Sequence, residues 1–213
     1  MSEKWDAKKD LDAYRAPGGR FRVVEVPEQR YLAVDGHGDP NTTPAFAEAI
    51  GALQPVSWTL KFASKERGRD YVVPPLEGLW WARDAALFTT VRDKSAWDWT
   101  LLMLVPEWLD APDVDAAVAQ VRDRTAPARL DDVRLETLAE GLAVQTLHVG
   151  SFDDEAETVA RMHDEFLPAH GLRPTGRHHE IYLSDFRRVA PERRRTIVRQ
   201  PVARTPVSTA PEA

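Results

Sequence analysis

RYLAVDGHGDPNTTPAFAEAIGAL, residues 30–53, joins a β-strand to an α-helix and sets the pattern for the rest of the chain. RYLAVDGHG has the β-branched and aromatic content of a strand that ends in a glycine-rich turn. Thr43 is a suitable N-cap, and Pro44 follows at the first helical position, where its missing N–H costs nothing. Apolar residues then recur at i, i+4 and i+7, as Phe46, Ile50 and Leu53. The segment therefore predicts a strand, a turn and an amphipathic helix.

The second half of the chain repeats this arrangement. LAVQTLHVG is predicted to be a strand that also ends at a glycine, and residues 153–171 are predicted to form the helix that follows it. The other predicted strands are 21–27, 71–82, 97–106, 133–139, 176–185 and 195–202, with a further helix at 111–124. The order β-β-α-β-β, helix, β-β-α-β-β indicates an internal duplication. The expected fold class is α+β, with duplicated β-β-α-β-β halves, an antiparallel sheet with helices on one face, and a central concave cavity for a ligand.

The chain of 213 residues suits one folded unit. We expect a small-molecule-binding domain over residues 21–202, made of two pseudo-symmetric repeats at about 21–110 and 111–202. Residues 1–20 form a flexible polar lead-in in this interpretation. Residues 203–213 have the Pro, Ser, Thr and Ala content of a disordered tail.

Composition excludes several classes of function. The formal net charge of −6 disfavours a nucleic-acid partner, which needs clustered positive charge. The chain has no cysteine, which removes disulfides, thiolate catalysis and cysteine-ligated zinc. No apolar run approaches the ~20 residues of a membrane helix. A cytoplasmic protein, with no membrane association, is the expectation.

The strand HHEIY, residues 178–182, carries the most informative side chains. Because side chains alternate along a strand, His178, Glu180 and Tyr182 share one face. Ile181 suits the face covered by helices, so Glu180 and Tyr182 are predicted to look into the cavity on the other face. There Glu180 can act as a general base or as a buried anion for a cationic ligand. The alternative is an exposed strand glutamate.

The same alternation argues against a metal site. His178 and His179 are adjacent on a strand and point to opposite faces, so they cannot share one ion. The chain contains no HExxH or His-x-His pattern. Residues 36–38, Gly-His-Gly, lack the third glycine of a dinucleotide-binding loop. Neither a metal nor a cofactor is predicted.

A second glutamate occurs in PLEGLWW, where Glu77, Leu79 and Trp81 share a face. If the two halves correspond, Glu77 is the counterpart of Glu180, and two carboxylates facing one cleft would form a general acid–base pair. The alternative is a structural glutamate bonded to neighbouring N–H groups.

Aromatic residues are the other candidates for a binding site. Six of the seven tryptophans fall between Trp58 and Trp108, and indole rings stack well on flat ligands. The candidate walls of the cavity are Trp58, Tyr71, Trp81, Trp97 and Trp99. For each of them the alternative is a place in the hydrophobic core.

Four segments together resemble a known family: YLAVDGHGDPN, VPPLEGLWW, WDWTLLMLVPEW and GRHHEIYLSDFRRVAPERRRTIVRQPV. They are similar to the GyrI-like small-molecule-binding family and, within it, to the stand-alone branch of cyclopropanoid cyclopropyl hydrolases. The resemblance runs over roughly residues 20–202. It implies a SOUL-like fold of two repeats around a pseudo-two-fold axis, and a partner that is a small planar, hydrophobic or cationic molecule. A monomer or weak homodimer is expected.

The hydrolase branch implies a cofactor-free detoxification reaction, in which water opens the cyclopropane of DNA-alkylating natural products of the CC-1065 and duocarmycin type. By this resemblance, Glu180 deprotonates the attacking water. Tyr182 either orients Glu180 or donates a hydrogen bond to the dienone oxygen. Some of the tryptophans sandwich the substrate, with His178 beside it. The alternative function is non-catalytic binding or sequestration of a drug, or modulation of gyrase.

Overall fold

The computed structural model describes residues 4–83 and 93–206. Within these ranges the chain is an α+β protein whose nine strands pair antiparallel. The first half contains α1 (Ala7–Asp10), β1 (Arg22–Val26), β2 (Gln29–His37), α2 (Pro44–Glu66), β3 (Leu76–Trp81) and β4 (Asp98–Val105). After α3 (Ala111–Arg124), the second half contains β5 (Arg134–Leu138), β6 (Gly141–Val149), α4 (Glu155–Arg161), α5 (Leu167–Ala169), β7 (Leu172–Pro174), β8 (His178–Tyr182) and β9 (Arg195–Arg204).

The sheet has the two-fold character that the duplicated pattern predicts. Eight strands follow the order β1-β6-β9-β8-β3-β4-β2-β5, and β7 pairs with β9 outside this path. Each half supplies three adjacent strands, and its first strand crosses to the far edge of the other half. The halves meet at the central pair β3–β8. The predicted fold class is therefore confirmed, including its duplicated halves.

The long helices lie on one face of the sheet. Side chains of α2 and α3 pack in one apolar cluster with the inner residues of β2, β3 and β4. Met162 and Leu167, in the helical segment that α4 begins, pack with Val144 and Val198 of β6 and β9. The helix α2 continues well beyond the predicted end at Leu53, because its buried apolar positions continue on the same side. Pro55 lies inside the helix and does not end it.

The N-terminal segment covers the other face of the sheet. Ala7, Ala13 and Tyr14 are buried in a cluster with Leu79 and Ile181. The expectation of a flexible lead-in over residues 1–20 therefore needs correction for this part of the segment. Its few apolar residues are spread among charged residues, so the sequence pattern alone does not predict that they are buried together against the sheet.

Smaller differences follow from local chemistry. The strand expected at residues 71–82 begins only at Leu76, since two prolines precede it and cannot donate to a ladder. The helix expected at residues 153–171 contains a π-helical turn, Met162–Phe166. The last strand extends to Arg204, into the predicted tail, while residues 207–213 lie outside the described part of the chain. No helix among the described residues is long and apolar enough to cross a membrane.

Candidate functional site

A cavity of about 730 Å³ lies between the central strands and the helices α2 and α4. Strands β3 and β8 supply its floor, and α2 and α4 supply its sides. Its lining includes Phe46, Ile50, Trp80, Trp97, Phe152, Glu155, Val159, His163, His178, Glu180, Tyr182 and Phe186. The cavity is thus on the helix-covered face, which corrects the expectation that it would open on the other face. The apolar residues of β8 that suggested a helix-covered face are covered by the N-terminal segment instead.

A chain of hydrogen bonds fixes the floor of the cavity. The indole N–H of Trp80 donates to the hydroxyl oxygen of Tyr182 at 3.1 Å, and that hydroxyl donates to Oε2 of Glu180 at 2.9 Å. Gly78 makes room for this chain, because a Cβ there would lie 2.7 Å from Trp80 Nε1 and 3.0 Å from the Tyr182 hydroxyl. Burial, followed by the negative charge of Glu180, raises the pKa of Tyr182 well above its usual value. Tyr182 is therefore a neutral donor that orients Glu180.

Two further polar side chains converge on Glu180. Nε2 of His178 lies 3.7 Å from Oε1 of Glu180. Glu155, at the start of α4, is only 4% exposed, and donor atoms of Glu155, His178 and Glu180 all lie within 4.8 Å of one another. Burial, together with the charges of His163 and His179, lowers the pKa of His178 to about 3. The cavity floor therefore presents two carboxyl groups and a neutral imidazole.

Among the described residues, Glu155, His178 and Glu180 also form a group that could hold a metal ion. One imidazole and two carboxylates suit a divalent transition metal, and their donor atoms are close enough to be shared. The prediction of no metal rested on the missing HExxH and His-x-His patterns and on His178 and His179, whose side chains do point to opposite faces. It did not consider a carboxylate brought in from the second half's helix.

Glu155 is the residue that sequence reasoning missed. It lies in the first turn of the helix predicted at residues 153–171, where an acidic residue is expected whether or not it serves a site. Glu155 nevertheless precedes Val159 by four residues and His163 by eight, so the three share one helical face, and all three line the cavity. A carboxylate four residues before the apolar residue Val159 was the signal that would have identified Glu155.

Glu77 does not share the cleft with Glu180. It pairs across the sheet with Ile181, whereas Glu180 pairs with Gly78, so the two carboxylates point to opposite faces. Glu77 is fully buried and accepts hydrogen bonds from the Tyr14 hydroxyl and from Nε2 of His179. The alternation within each strand was predicted correctly. The error was to align the two glutamates across the pseudo-two-fold axis.

Glu77 belongs instead to a buried network of charges on the far side of the sheet. His179 contacts Glu77 through Nε2 and Glu140 through Nδ1, both at 2.9 Å, and Nη1 of Arg199 donates to Glu140 at 2.7 Å. Burial opposes charge on each group, but the pKa of His179 is raised to about 9, mainly by Glu140. The pKa of Glu140 is lowered to about 2 by His179 and Arg199, against the effect of burial. Two carboxylates and two cations therefore neutralise one another.

The predicted aromatic walls divide into two groups. Trp97 lines the cavity, where it meets Trp80 edge to face at 5.9 Å between ring centroids. Trp80, which alternation along PLEGLWW places on the face opposite Trp81, lines the cavity where Trp81 was expected. Trp81 lies on the opposite face, with the guanidinium of Arg177 3.9 Å from its ring.

The remaining aromatic candidates lie outside the cavity. Trp58 projects from α2, 47% exposed, and stacks on Phe62. Tyr71 is buried against Trp5 and Trp108. Trp99 is fully buried in the core, where its ring meets that of Phe46 edge to face.

The two repeats, their shared sheet and the aromatic cavity define an α+β protein with room for a small molecule. Residues 111–203 match the model of the GyrI-like small molecule binding domain. The chain belongs to the GyrI-like small-molecule-binding family, and this agrees with the resemblance seen in the sequence.

Solved structures support this assignment over nearly the whole chain. The chain is 36% identical to an uncharacterized conserved protein from Listeria innocua, with a TM-score of 0.85, and the match covers 94% of this chain and 100% of that one. It is 35% identical to a hydrolase from Listeria innocua, with a TM-score of 0.83 and the same coverage of both chains.

A more distant structure shares the fold alone. The C-terminal domain of EcmrR is 12% identical, with a TM-score of 0.55, and the match covers 87% of this chain and 98% of that domain. Among curated proteins, none matches the chain significantly.

Proposed function

We propose that this protein is a cofactor-free hydrolase that opens the strained cyclopropane of DNA-alkylating compounds of the CC-1065 and duocarmycin type. The observation that carries the proposal is a carboxylate, Glu180, held by Tyr182 at the floor of an aromatic cavity of about 730 Å³. Two solved structures of a hydrolase from Listeria innocua, each 35% identical over nearly the whole chain, support hydrolysis as the type of reaction. A protein with this role acts in the cytoplasm, where the DNA that it protects lies.

The proposed reaction is one addition of water. Glu180 takes a proton from the water as the oxygen of the water forms a bond to the cyclopropane carbon. The carbon–carbon bond of the ring breaks, its electron pair moves into the dienone, and the dienone becomes a phenolate that solvent protonates. Glu155 and the neutral His178 border the same point, and their polar atoms can hold the water in line with the carbon.

The shape of the cavity suits a flat substrate. Trp80 and Trp97 are aromatic walls on the sheet side, and Phe152 and Phe186, on loops of the second half, line the cavity beside Tyr182. Rings of this kind bind planar molecules by stacking and by excluding water. The proposed substrate would lie between these walls with its cyclopropane toward Glu180.

Turnover of a duocarmycin-type compound is the direct test. With the compound in large excess over protein, we expect ring-opened product, one water heavier, to accumulate over many turnovers and to be detected by mass spectrometry. Stoichiometric binding without product would instead support the second candidate, a drug-binding protein. That candidate is favoured by the family alone, since its matched domain is defined by binding small molecules.

Replacing Tyr182 with Phe tests the orienting role of its hydroxyl. The substitution keeps the ring and removes the hydrogen bond to Glu180. Hydrogen bonds to charged groups contribute about 1.5–3 kcal/mol, so kcat should fall by about ten- to a hundred-fold. Because the hydroxyl is already engaged by the indole N–H of Trp80 and by Glu180, its removal should change KM little.

Tyr71→Phe is the matched control, since it removes a hydroxyl from a buried tyrosine outside the cavity. Steady-state kinetics of the two variants decide the question. Equal rates for both variants would show that Tyr182 does not position Glu180.

A further inference from the structure

A second, smaller cavity adjoins the first. Its volume is about 190 Å³, and it lies between the first half of α2, the segment before β3 and the loop after β8. Four side chains line both cavities and form the partition between them: Ile50, Tyr182, Phe186 and Arg187. The two spaces are therefore neighbours separated by a single layer of side chains.

Phe186 is the movable part of this partition. Ile50 is buried on a long helix, and Tyr182 is held on β8 by its hydrogen bonds to Trp80 and Glu180. Phe186 instead lies on the loop after β8, half-buried, and touches Tyr182 and Phe152 edge to face, at 5.6 and 5.8 Å between ring centroids. A loop side chain with two edge contacts rotates at lower cost than one fixed in a strand or helix.

The walls of the small cavity indicate what it can accept. Val73, Pro75 and Leu76 form an apolar side, and the opposite side is polar, with Lys8, Gln54, Ser184, Asp185 and Arg187. At about 30 Å³ for each water, the volume equals that of about six waters, which is room for a short chain of methylenes. An apolar arm with a polar end matches this lining.

We propose that the small cavity is a subsite for an arm carried by the ligand, and that Phe186 turns aside to admit it. The ligand would then be a molecule with a flat head in the main cavity and an apolar arm directed past Phe186. The inference rests on the proposed function only in that the main cavity takes the flat head. It makes Phe186 a residue that determines which ligands fit.

Dyes with one head and different arms test the subsite. Acridine orange bearing a methyl, butyl or nonyl group on its ring nitrogen supplies a flat cationic head, and its fluorescence reports binding. Burial of each methylene should tighten Kd by about four-fold, so the butyl dye should bind much more tightly than the methyl dye. The nonyl dye should gain less per carbon, because its chain exceeds the small cavity.

Variants that fill the small cavity locate the effect. Val73→Trp and Gln54→Trp should each abolish the gain of the butyl dye over the methyl dye and leave the methyl dye's Kd within about two-fold of the wild-type value. Val23→Trp, at an exposed position on β1, is the control for added surface apolarity and should keep the gain. Phe186→Ala should increase the gain, since no ring has to move. Melting temperatures identify any variant that fails to fold, and either of the two blocking variants suffices.

The outcomes separate this inference from the proposed function. Equal affinities for the methyl and butyl dyes, or a gain that survives both blocking variants, would overturn the subsite and leave the main cavity's role intact. If no dye binds at all, the main cavity does not accept flat cations, and both the subsite and its route past Phe186 are wrong. If the cyclopropane compound is turned over but Val73→Trp has no effect on dye binding, only the proposed subsite is wrong.

Discussion

Glu180→Gln should slow ring opening strongly and leave ligand binding intact. The amide has nearly the shape of the carboxylate and can still accept the hydrogen bond from Tyr182, but it cannot take a proton from water. General-base catalysis contributes about 10²–10⁴-fold, so kcat should fall by that factor. Product formation under single-turnover conditions measures the chemical step, and quenching of tryptophan fluorescence by the bound substrate measures affinity.

Two further variants show whether the loss belongs to Glu180. Glu157→Gln, an exposed position on the same helix as Glu155, should retain the wild-type rate. Glu155→Gln should bind substrate and lose a smaller factor, since its proposed role is to hold the water. If Glu180→Gln keeps the full rate while Glu155→Gln does not, Glu155 is the base. Glu77 cannot take that place, because it lies on the opposite face of the sheet.

The sequence predicted those parts of the fold that depend on local periodicity. Alternation along β8 correctly grouped His178, Glu180 and Tyr182, and the i, i+4 spacing from Phe46 correctly identified the buried face of α2. Both patterns arise from the geometry of one element, so they survive without knowledge of what packs on it. The order of the elements similarly predicted the duplication.

The sequence could not show which face of the sheet holds the cavity. Both faces are covered, one by long helices and the other by an N-terminal segment whose buried residues include Ala13 and Tyr14. Ile181 is therefore apolar for a reason unrelated to the helices. Trp81 and Glu77 were assigned to the cavity, and Trp80 was not, because Glu77 was aligned with Glu180 across the pseudo-two-fold axis. The meeting of Glu155 with Glu180 depends on how α4 crosses the sheet, which no local pattern encodes.

Glu140→Ala should destabilise the fold more than any surface change. The carboxylate accepts hydrogen bonds from His179 and Arg199, and both are fully buried. Its removal leaves two buried cations with Glu77 as the remaining anion of the network. Breaking a buried ion pair in this way costs about 3–5 kcal/mol, which urea unfolding at pH 6 should detect as a lower midpoint. Glu28→Ala, at an exposed position, should change stability by less than about 0.5 kcal/mol.

The stability supplied by this network should also depend on pH in a defined way. Burial disfavours the charged form of His179, yet Glu140 and Glu77 raise its pKa from 6.5 to about 9. A raised pKa in the folded state stabilises the protein fully below pH 6.5, and that contribution is lost as the pH rises through about 9. The lowered pKa of Glu140 acts in the opposite sense, since its contribution is complete above pH 4.5 and is lost as the pH falls through about 2.

Above about pH 7.5, His179 is the histidine whose titration dominates the change in stability. His178, whose pKa is lowered to about 3, is neutral in the folded protein, and it is also nearly neutral in the unfolded chain one unit above its ordinary pKa of 6.5. The free energy of unfolding of the wild type should therefore fall between about pH 7.5 and 9, and the difference from Glu140→Ala should narrow between pH 6.5 and 9, because the variant lacks the main partner of the His179 charge. A difference that stays constant from pH 6.5 to 9 would mean that His179 is neutral in the folded protein, and that Glu140 acts on Arg199 alone.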